Sequence, residues 1–357
     1  MKSKLFRYIT AKGLQSWEKI ATKVLSEASR RYHYASLVTT PFTVEKNLFK
    51  TFHRDHDFFS IQRPLIGHVS ASIEDISLTQ KLLIDAFSIF EDPALLEQVT
   101  GEILAKVLAY RQLKKGMILY IPWVENGETS LQPCTVERVF NLWQSMLAFG
   151  IVPHDKKLPA LILFRGTDLS LHNKSSRISI ISNFDPKGPG YSVFLHAKPR
   201  LKEWLSQVTS HHRKAKCIGY SLGGALSTYL ISHEPRYFSQ TEHSLLFHHP
   251  GLTPEQLPLF FNAQRDYAFR IKAYVAEGDP VSKYGSLFCQ TIGFQTPDTL
   301  LNPFKAHTQL FCALDEFIAQ QIDIERENQC ESRKFYSGLH QKTTKILHRL
   351  GVSYFLP

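Results

Sequence analysis

The sequence predicts an α/β fold: a mostly parallel β-sheet with helices on both faces, plus a helical N-terminal region. Three observations point there. From Pro159 onward, short apolar runs alternate with helix-like runs, the pattern of strands joined by helical crossovers. One such run, "KCIGY" (Lys216 to Tyr220), passes straight into the glycine-rich "SLGGALSTYLI" of Ser221 to Ile231. A chain of 357 residues that is 43% hydrophobic and 21% charged can bury one large core or two modest ones.

The first 30 residues place Leu5, Ile9, Ile20, Val24 and Ala28 on one helical face with Lys and Arg between them. They are expected to lie on the protein's own core, the alternative being a helix at a membrane surface. Residues 35 to 75 show little periodicity. "HRDHD" (His53 to Asp57) matches no metal-ligand spacing and is expected to be a solvated loop. From Leu78 the signal is helical. Asp92-Pro93 has the form of an N-cap followed by a first-turn proline, and Leu96, Val99, Ile103 and Val107 recur behind it.

Gly116 to Val124 is expected to be a buried strand, and Thr135 to Phe149 an amphipathic helix. Strands follow at Pro159–Gly166, Lys216–Tyr220 and Ser244–His248, with a helix over Leu222–Ser232. In Ala268–Ala276, Phe269, Ile271, Ala273 and Val275 alternate with Arg270, Lys272 and Tyr274, which suits a half-covered strand near the sheet edge. The basic tail around His340 and His348 is expected to be a solvated helix. Three regions result: helical residues 1–115 (a cap or membrane contact), an α/β core at 116–320, and a basic helical tail at 321–357.

The net charge of +10 favours an acidic partner, either anionic lipid surface or nucleic acid. No helix-turn-helix, zinc-finger or RNP-like pattern supports nucleic acid. The five cysteines are odd in number, widely spaced and free of CxxC, which argues against a disulfide framework and a structural zinc site. No apolar run approaches 18 residues, the length that would suggest a membrane span. The basic N-terminus lacks the apolar core of a standard secretory signal. The expected location is therefore cytoplasmic or peripheral at a membrane, with non-classical export left open. Nothing in the sequence sets the oligomeric state.

The chemistry-bearing pattern is Gly219-Tyr220-Ser221-Leu222-Gly223, a GxSxG turn between strand and helix. Such a turn exposes a strained serine at the carboxyl edge of the sheet, and bulky residues in place of Gly219 and Gly223 would clash. The N–H of Leu222 and the helix N-terminus would then face a developing oxyanion. A serine hydroxyl also needs a base, and the base an orienting acid. Asp279, in "EGDPV" directly after the alternating strand, lies at the same sheet edge and is the candidate acid. With the order Ser, Asp, His, the base is His307, His340 or His348. His307 is preferred, because "NPFKAHTQLF" forms a loop-to-helix junction able to reach over that edge.

"GYSLGGAL", with "ILFRGT" upstream and "GDPV" downstream, resembles the class 3 lipases, the fungal triacylglycerol lipase group of the α/β-hydrolases. The resemblance covers roughly residues 115 to 320. It implies an α/β-hydrolase-type sheet with Ser221 as nucleophile, Asp279 as acid and His307 as base. Thr167, after Arg165-Gly166, would supply a second oxyanion donor beside Leu222, with Arg165 structural. Tyr220 replaces the family's histidine at a position that is not itself catalytic. "LFHHPGL" (Leu246 to Leu252) stands for an FG-P segment, so that loop is expected to be reshaped. Residues 168 to 190 could be a lid over an acyl site or a plain surface loop.

The expected activity is cleavage of carboxylic esters of lipids through an acyl-enzyme, with no metal or organic cofactor, and with possible peripheral contact to an anionic membrane. The alternative is a catalytically inactive hydrolase-fold protein that binds a membrane or a protein partner.

Overall fold

In a computed structural model of the chain, residues 73–143, 146–167, 179–211, 214–295, 306–307 and 318–349 are described. The basic stretch at residues 1–30 and the "HRDHD" motif lie outside them. Two helices come first, α1 (Ile73–Ile89) and α2 (Pro93–Lys106). Asp92 caps α2 by accepting from the Ala94 N–H at 2.9 Å, with Pro93 in the first turn. Nine strands follow: β1 (Ile118–Glu125), β2 (Glu128–Trp143), β3 (Met146–Pro153), β4 (Ala160–Phe164), β5 (Ala215–Tyr220), β6 (His243–Phe247), β7 (Arg270–Ala276), β8 (Gln290–Gln295) and β9 (Ile318–Gln321). They form one mixed sheet in sequential order. The central strands β4 to β8 run parallel, and β1 to β3 and β9 flank them antiparallel.

The crossovers use α3 (Tyr191–Val208), α4 (Leu222–His233) and α5 (Leu257–Tyr267). Right-handed crossovers that each step one strand in the same direction leave their helices on one face. All three pack there, with Phe194, Trp204, Leu226 and Phe260 among one buried cluster. The opposite face must be covered from elsewhere, and α1 and α2 do this. Leu82, Leu96 and Ile103 join Ile121, Leu163, Ile218 and Phe247 in a second cluster. Alternate residues of each central strand feed the two clusters, so the sheet is apolar on both sides. Two helices, α6 (Ile324–Asn328) and α7 (Glu331–Arg349), come last among the described residues.

Four local expectations are corrected. Thr135–Phe149 is not a helix but most of the β2–β3 hairpin. Register shifts between Val136/Arg138 and Asn141/Trp143 mark bulges. The first turns the strand over, so Cys134 and Val136 face one core while Phe140 and Leu142 face the other. This extra residue breaks the two-residue period and imitates helical spacing. The strand read as buried, β1, is an edge strand among the described residues and leaves Ile118 and Tyr120 exposed. Among the described residues one side chain meets its outer backbone: Gln80 donates to the Tyr120 carbonyl at 2.7 Å and accepts from its N–H at 2.9 Å. Strand β7 is interior, paired on both sides, rather than near the edge. The tail helix α7 is docked, burying Arg333, Thr344 and Leu347.

Below the carboxyl edge of the sheet, Lys106 of α2 is buried with Glu102 at 2.5 Å, and both side chains are nearly inaccessible. The Lys106 Nζ also lies 5.6 Å from the Tyr220 ring centroid, at the end of β5. Removing one member deprives the other buried charge of its nearest opposite charge, whereas removing both does not. Lys106→Met is therefore expected to cost about 3–5 kcal/mol, and Glu102→Leu/Lys106→Met distinctly less than Lys106→Met alone. Denaturant unfolding of the single and double variants checks this, and equal losses would refute it.

Candidate active site

The parallel strands present their carboxyl ends along one edge, where α/β sheets collect functional groups. Phe164 pairs with Gly219, Tyr220 with Phe247, and Phe247 with Tyr274. The residues just beyond these ends are consequently neighbours: Thr167 after β4, Ser221 after β5, His248 after β6 and Asp279 after β7.

Ser221 adopts φ 54°, ψ −123°, outside the regions open to most side chains, and α4 starts at the next residue. Such a conformation costs on the order of 1–3 kcal/mol and survives only where its surroundings enforce it. The enforcement is close packing of backbone on backbone. A Cβ on Gly219 would sit 2.3 Å from the Gly223 carbonyl oxygen, and one on Gly223 would sit 2.5 Å from that of Phe164. The Ser221 N–H donates to the Phe247 carbonyl at 2.9 Å, which ties the turn to β6.

Ser221 Oγ lies 3.0 Å from Nε2 of His307, and Nδ1 of His307 lies 3.0 Å from Oδ1 of Asp279. Asp279 is completely buried. Burial by itself pushes its pKa up. His307 opposite it, and hydrogen bonds from His248 and His307, outweigh this and hold it well below the ordinary carboxylate range. An ionised carboxylate only accepts, and each Asp279 oxygen meets two donors. Oδ1 accepts from His307 Nδ1 and from the Val281 N–H at 2.9 Å. Oδ2 accepts from His248 Nδ1 at 3.0 Å and from the Ser282 hydroxyl at 2.6 Å. His307 thus donates from Nδ1 and turns Nε2 toward the Ser221 hydroxyl.

Thr167 is held beside the turn by two contacts: its Oγ1 accepts from Asn183 Nδ2 at 2.9 Å, and its carbonyl from the Tyr110 hydroxyl at 3.3 Å. Leu222 is the first residue of α4, so its N–H has no acceptor within the helix. Tyr220, a neutral replacement in the sequence reading, is in contact with His307. Its hydroxyl donates to the His307 carbonyl at 3.0 Å, and its ring stacks on the imidazole at 5.2 Å. Burial raises the Tyr220 pKa and keeps that donor protonated. Arg165 lies over the Tyr110 ring at 5.1 Å.

His248 was not singled out from the sequence. Its signal is a histidine at the carboxyl end of the expected strand Ser244–His248, at the start of the "HHPGL" turn. It takes φ 48° and is fully buried. Burial, then the nearby Lys106 charge, pushes its pKa down to about 3, so it stays neutral and donates from Nδ1. His248, Asp279 and His307 offer ligand atoms within 4.8 Å of one another, a spacing a metal ion could use. Their orientation is that of a hydrogen-bonded chain, with both Nδ1 atoms aimed at carboxylate oxygens. His340 is engaged elsewhere, donating from Nε2 to the Asn183 carbonyl at 2.7 Å. Cys134, Cys217, Cys289 and Cys330 are free thiols. Of the segment considered as a lid, residues 168–178 lie outside the described residues, while Ser179, Ser182 and Asp185 are buried.

No family model matches the chain, and no curated protein matches it. Among solved structures it is similar to a Rhizomucor miehei lipase–propeptide complex, at 14% identity and a TM-score of 0.34, over 49% of this chain and 68% of that one. It is also similar to a fungal lipase crystal structure, at 14% identity and a TM-score of 0.38, over 76% of this chain and 98% of that one. A likeness of this degree says nothing of chemistry, which rests on the side chains themselves.

The buried histidines set an acid limit on stability. His248 and the neighbouring His249 are both fully buried, and burial holds them down to about 3 and about 4 from an ordinary 6.5. Below pH 6.5 the unfolded chain takes up protons that the folded chain refuses, so stability rises with pH across this window. It is therefore expected to be full above about pH 6.5 and to fall progressively toward about pH 4. Asp279 acts lower, its contribution fading only below the ordinary carboxylate value of 3.8. Thermal melts from pH 7 to pH 4 should show the decline, and His249→Asn should flatten it. A flat wild-type profile would refute the assignment.

Proposed function

We propose that the protein is a serine hydrolase that cleaves carboxylic esters of lipids. The observation carrying this reading is the continuous chain from Ser221 Oγ to His307 Nε2 and from His307 Nδ1 to Asp279, each step 3.0 Å, with the serine held at positive φ. In this reading His307 takes the Ser221 proton on Nε2 as Oγ attacks the ester carbonyl. Asp279 keeps the imidazole in its Nδ1–H form and stabilises the imidazolium. The N–H groups of Leu222 and Thr167 receive the oxyanion. The intermediate collapses, His307 returns its proton to the leaving alcohol, and an acyl-Ser221 ester remains. A water molecule activated by the same Nε2 then releases the acid. A lipid ester is favoured by the resemblance of "FRGT", "GYSLGGAL" and "GDPV" to the class 3 lipases, and a lipid interface by the net charge of +10.

A fluorophosphonate probe is expected to label the wild-type protein and not Ser221→Ala. His307→Gln should lower ester hydrolysis by at least about 10³-fold. Equal labelling of wild type and Ser221→Ala would remove the nucleophile assignment. Silence of both, with and without lipid vesicles, would favour a hydrolase-fold binding protein. For the acid, Asp279→Asn should reduce kcat by roughly 10⁴-fold with KM little changed. A loss confined to KM would show that Asp279 acts in binding instead.

A further inference from the structure

We infer that the outer face of α7 is a docking surface for an anionic lipid bilayer. Helix α7 has two faces of different character. Arg333, His340, Thr344 and Leu347 turn inward: Arg333 donates to the Gly285 carbonyl at 2.8 Å, and His340 to that of Asn183 at 2.7 Å. On the opposite side Phe335, Leu339 and Ile346 stand out at 64%, 51% and 56% exposure. At about 100° per residue these three fall within about 40° of one another, forming one exposed apolar stripe.

Lys342 and Arg349 lie beside that stripe and Lys345 about 80° from it, all exposed and without an ion-pair partner among the described residues. The helix holds five Lys and Arg against one Glu. Exposed apolar prongs within a basic border are the form of a helix that lies in the plane of a membrane interface. The prongs enter the acyl boundary and the cations meet anionic headgroups.

Charge also argues against the basic N-terminal stretch as the occupant of this face. Residues 1–31 carry eight Lys and Arg against two Glu, so the two segments repel. The helix is also well placed. His340 holds the Asn183 carbonyl, and the Asn183 amide holds Thr167 Oγ1 at 2.9 Å, so α7 is two hydrogen bonds from the proposed oxyanion residue. That docking would serve the Ser221 site rests on the hydrolase reading; the docking itself does not.

The test is co-sedimentation of full-length protein carrying Ser221→Ala with phosphatidylcholine vesicles, with and without phosphatidylserine. Binding is expected only with phosphatidylserine and should weaken as salt rises. Lys342→Glu/Lys345→Glu/Arg349→Glu should weaken it by a hundredfold or more, roughly the worth of three surface cations. Phe335→Ser/Leu339→Ser/Ile346→Ser should abolish it. In a Ser221 background, both triple variants should melt like wild type and hydrolyse a water-soluble short-chain ester at the wild-type rate. No vesicle binding, or binding unchanged in both variants, would overturn the proposal. So would gel filtration showing a wild-type dimer that the apolar variant turns into a monomer, since the occupant would then be a second copy. Vesicle binding without fluorophosphonate labelling would sink the hydrolase reading alone, and labelling without vesicle binding would sink this one alone.

Discussion

The structure around the site depends on a single constraint, the burial of the Asp279 charge. A carboxylate removed from water is tolerated only when its lone pairs are met by donors. Four donors meet it here, from His248, Val281, Ser282 and His307. Each requirement places an element. The Val281 and Ser282 donors need the chain to turn back directly after β7. The His248 donor needs a residue at positive φ just beyond β6. The His307 donor needs a later segment to return over the sheet edge. Ser221 is then reached by the one imidazole nitrogen still facing outward.

A second constraint acts through topology. Sequential strand order puts every crossover helix on one face, so the sheet is half-built until α1 and α2 cover the other. These helices precede the region in which motifs are recognisable, yet they reach the site. Lys106 lies against Tyr220, and Tyr220 holds the carbonyl and ring of His307. Tyr110, just after α2, holds the carbonyl of Thr167. The helical layer is thus part of the scaffold that fixes the turn, His307 and the loop after β4.

Much of this was legible from residues alone. Parallel strands buried on both faces are short apolar runs, and β4, β5 and β6 have that form. Asp92-Pro93 signals its cap through side-chain chemistry that tertiary packing does not alter. Ser221, Asp279 and His307 could be picked out because each stands at a strand end or a loop-to-helix junction. The structure brings these three within hydrogen-bonding reach. What escaped has physical causes. Bulges in β2 shifted its apolar residues out of period. The polar residues of β7 suggested an edge, although Lys272 and Tyr274 lie on a strand paired on both sides. His248 carries no spacing signature, because its partner is 31 residues away and is met only across neighbouring strand ends. Tyr220 contacts the backbone of a residue 87 positions later, which no local pattern can reveal.

The amide of Gln80 has a consequence for how the protein behaves when crowded. It occupies both outward hydrogen-bonding groups of Tyr120 on the outermost strand, where exposed Ile118 adds an apolar contact. An unguarded edge of this kind is a template on which another chain can add a strand. The guard is borne by α1, a helix packed on the sheet rather than woven into it. Local detachment of α1 would free these Tyr120 groups while the rest of the sheet stayed paired. Loss of material at high concentration would then begin from a nearly native molecule rather than from an unfolded one.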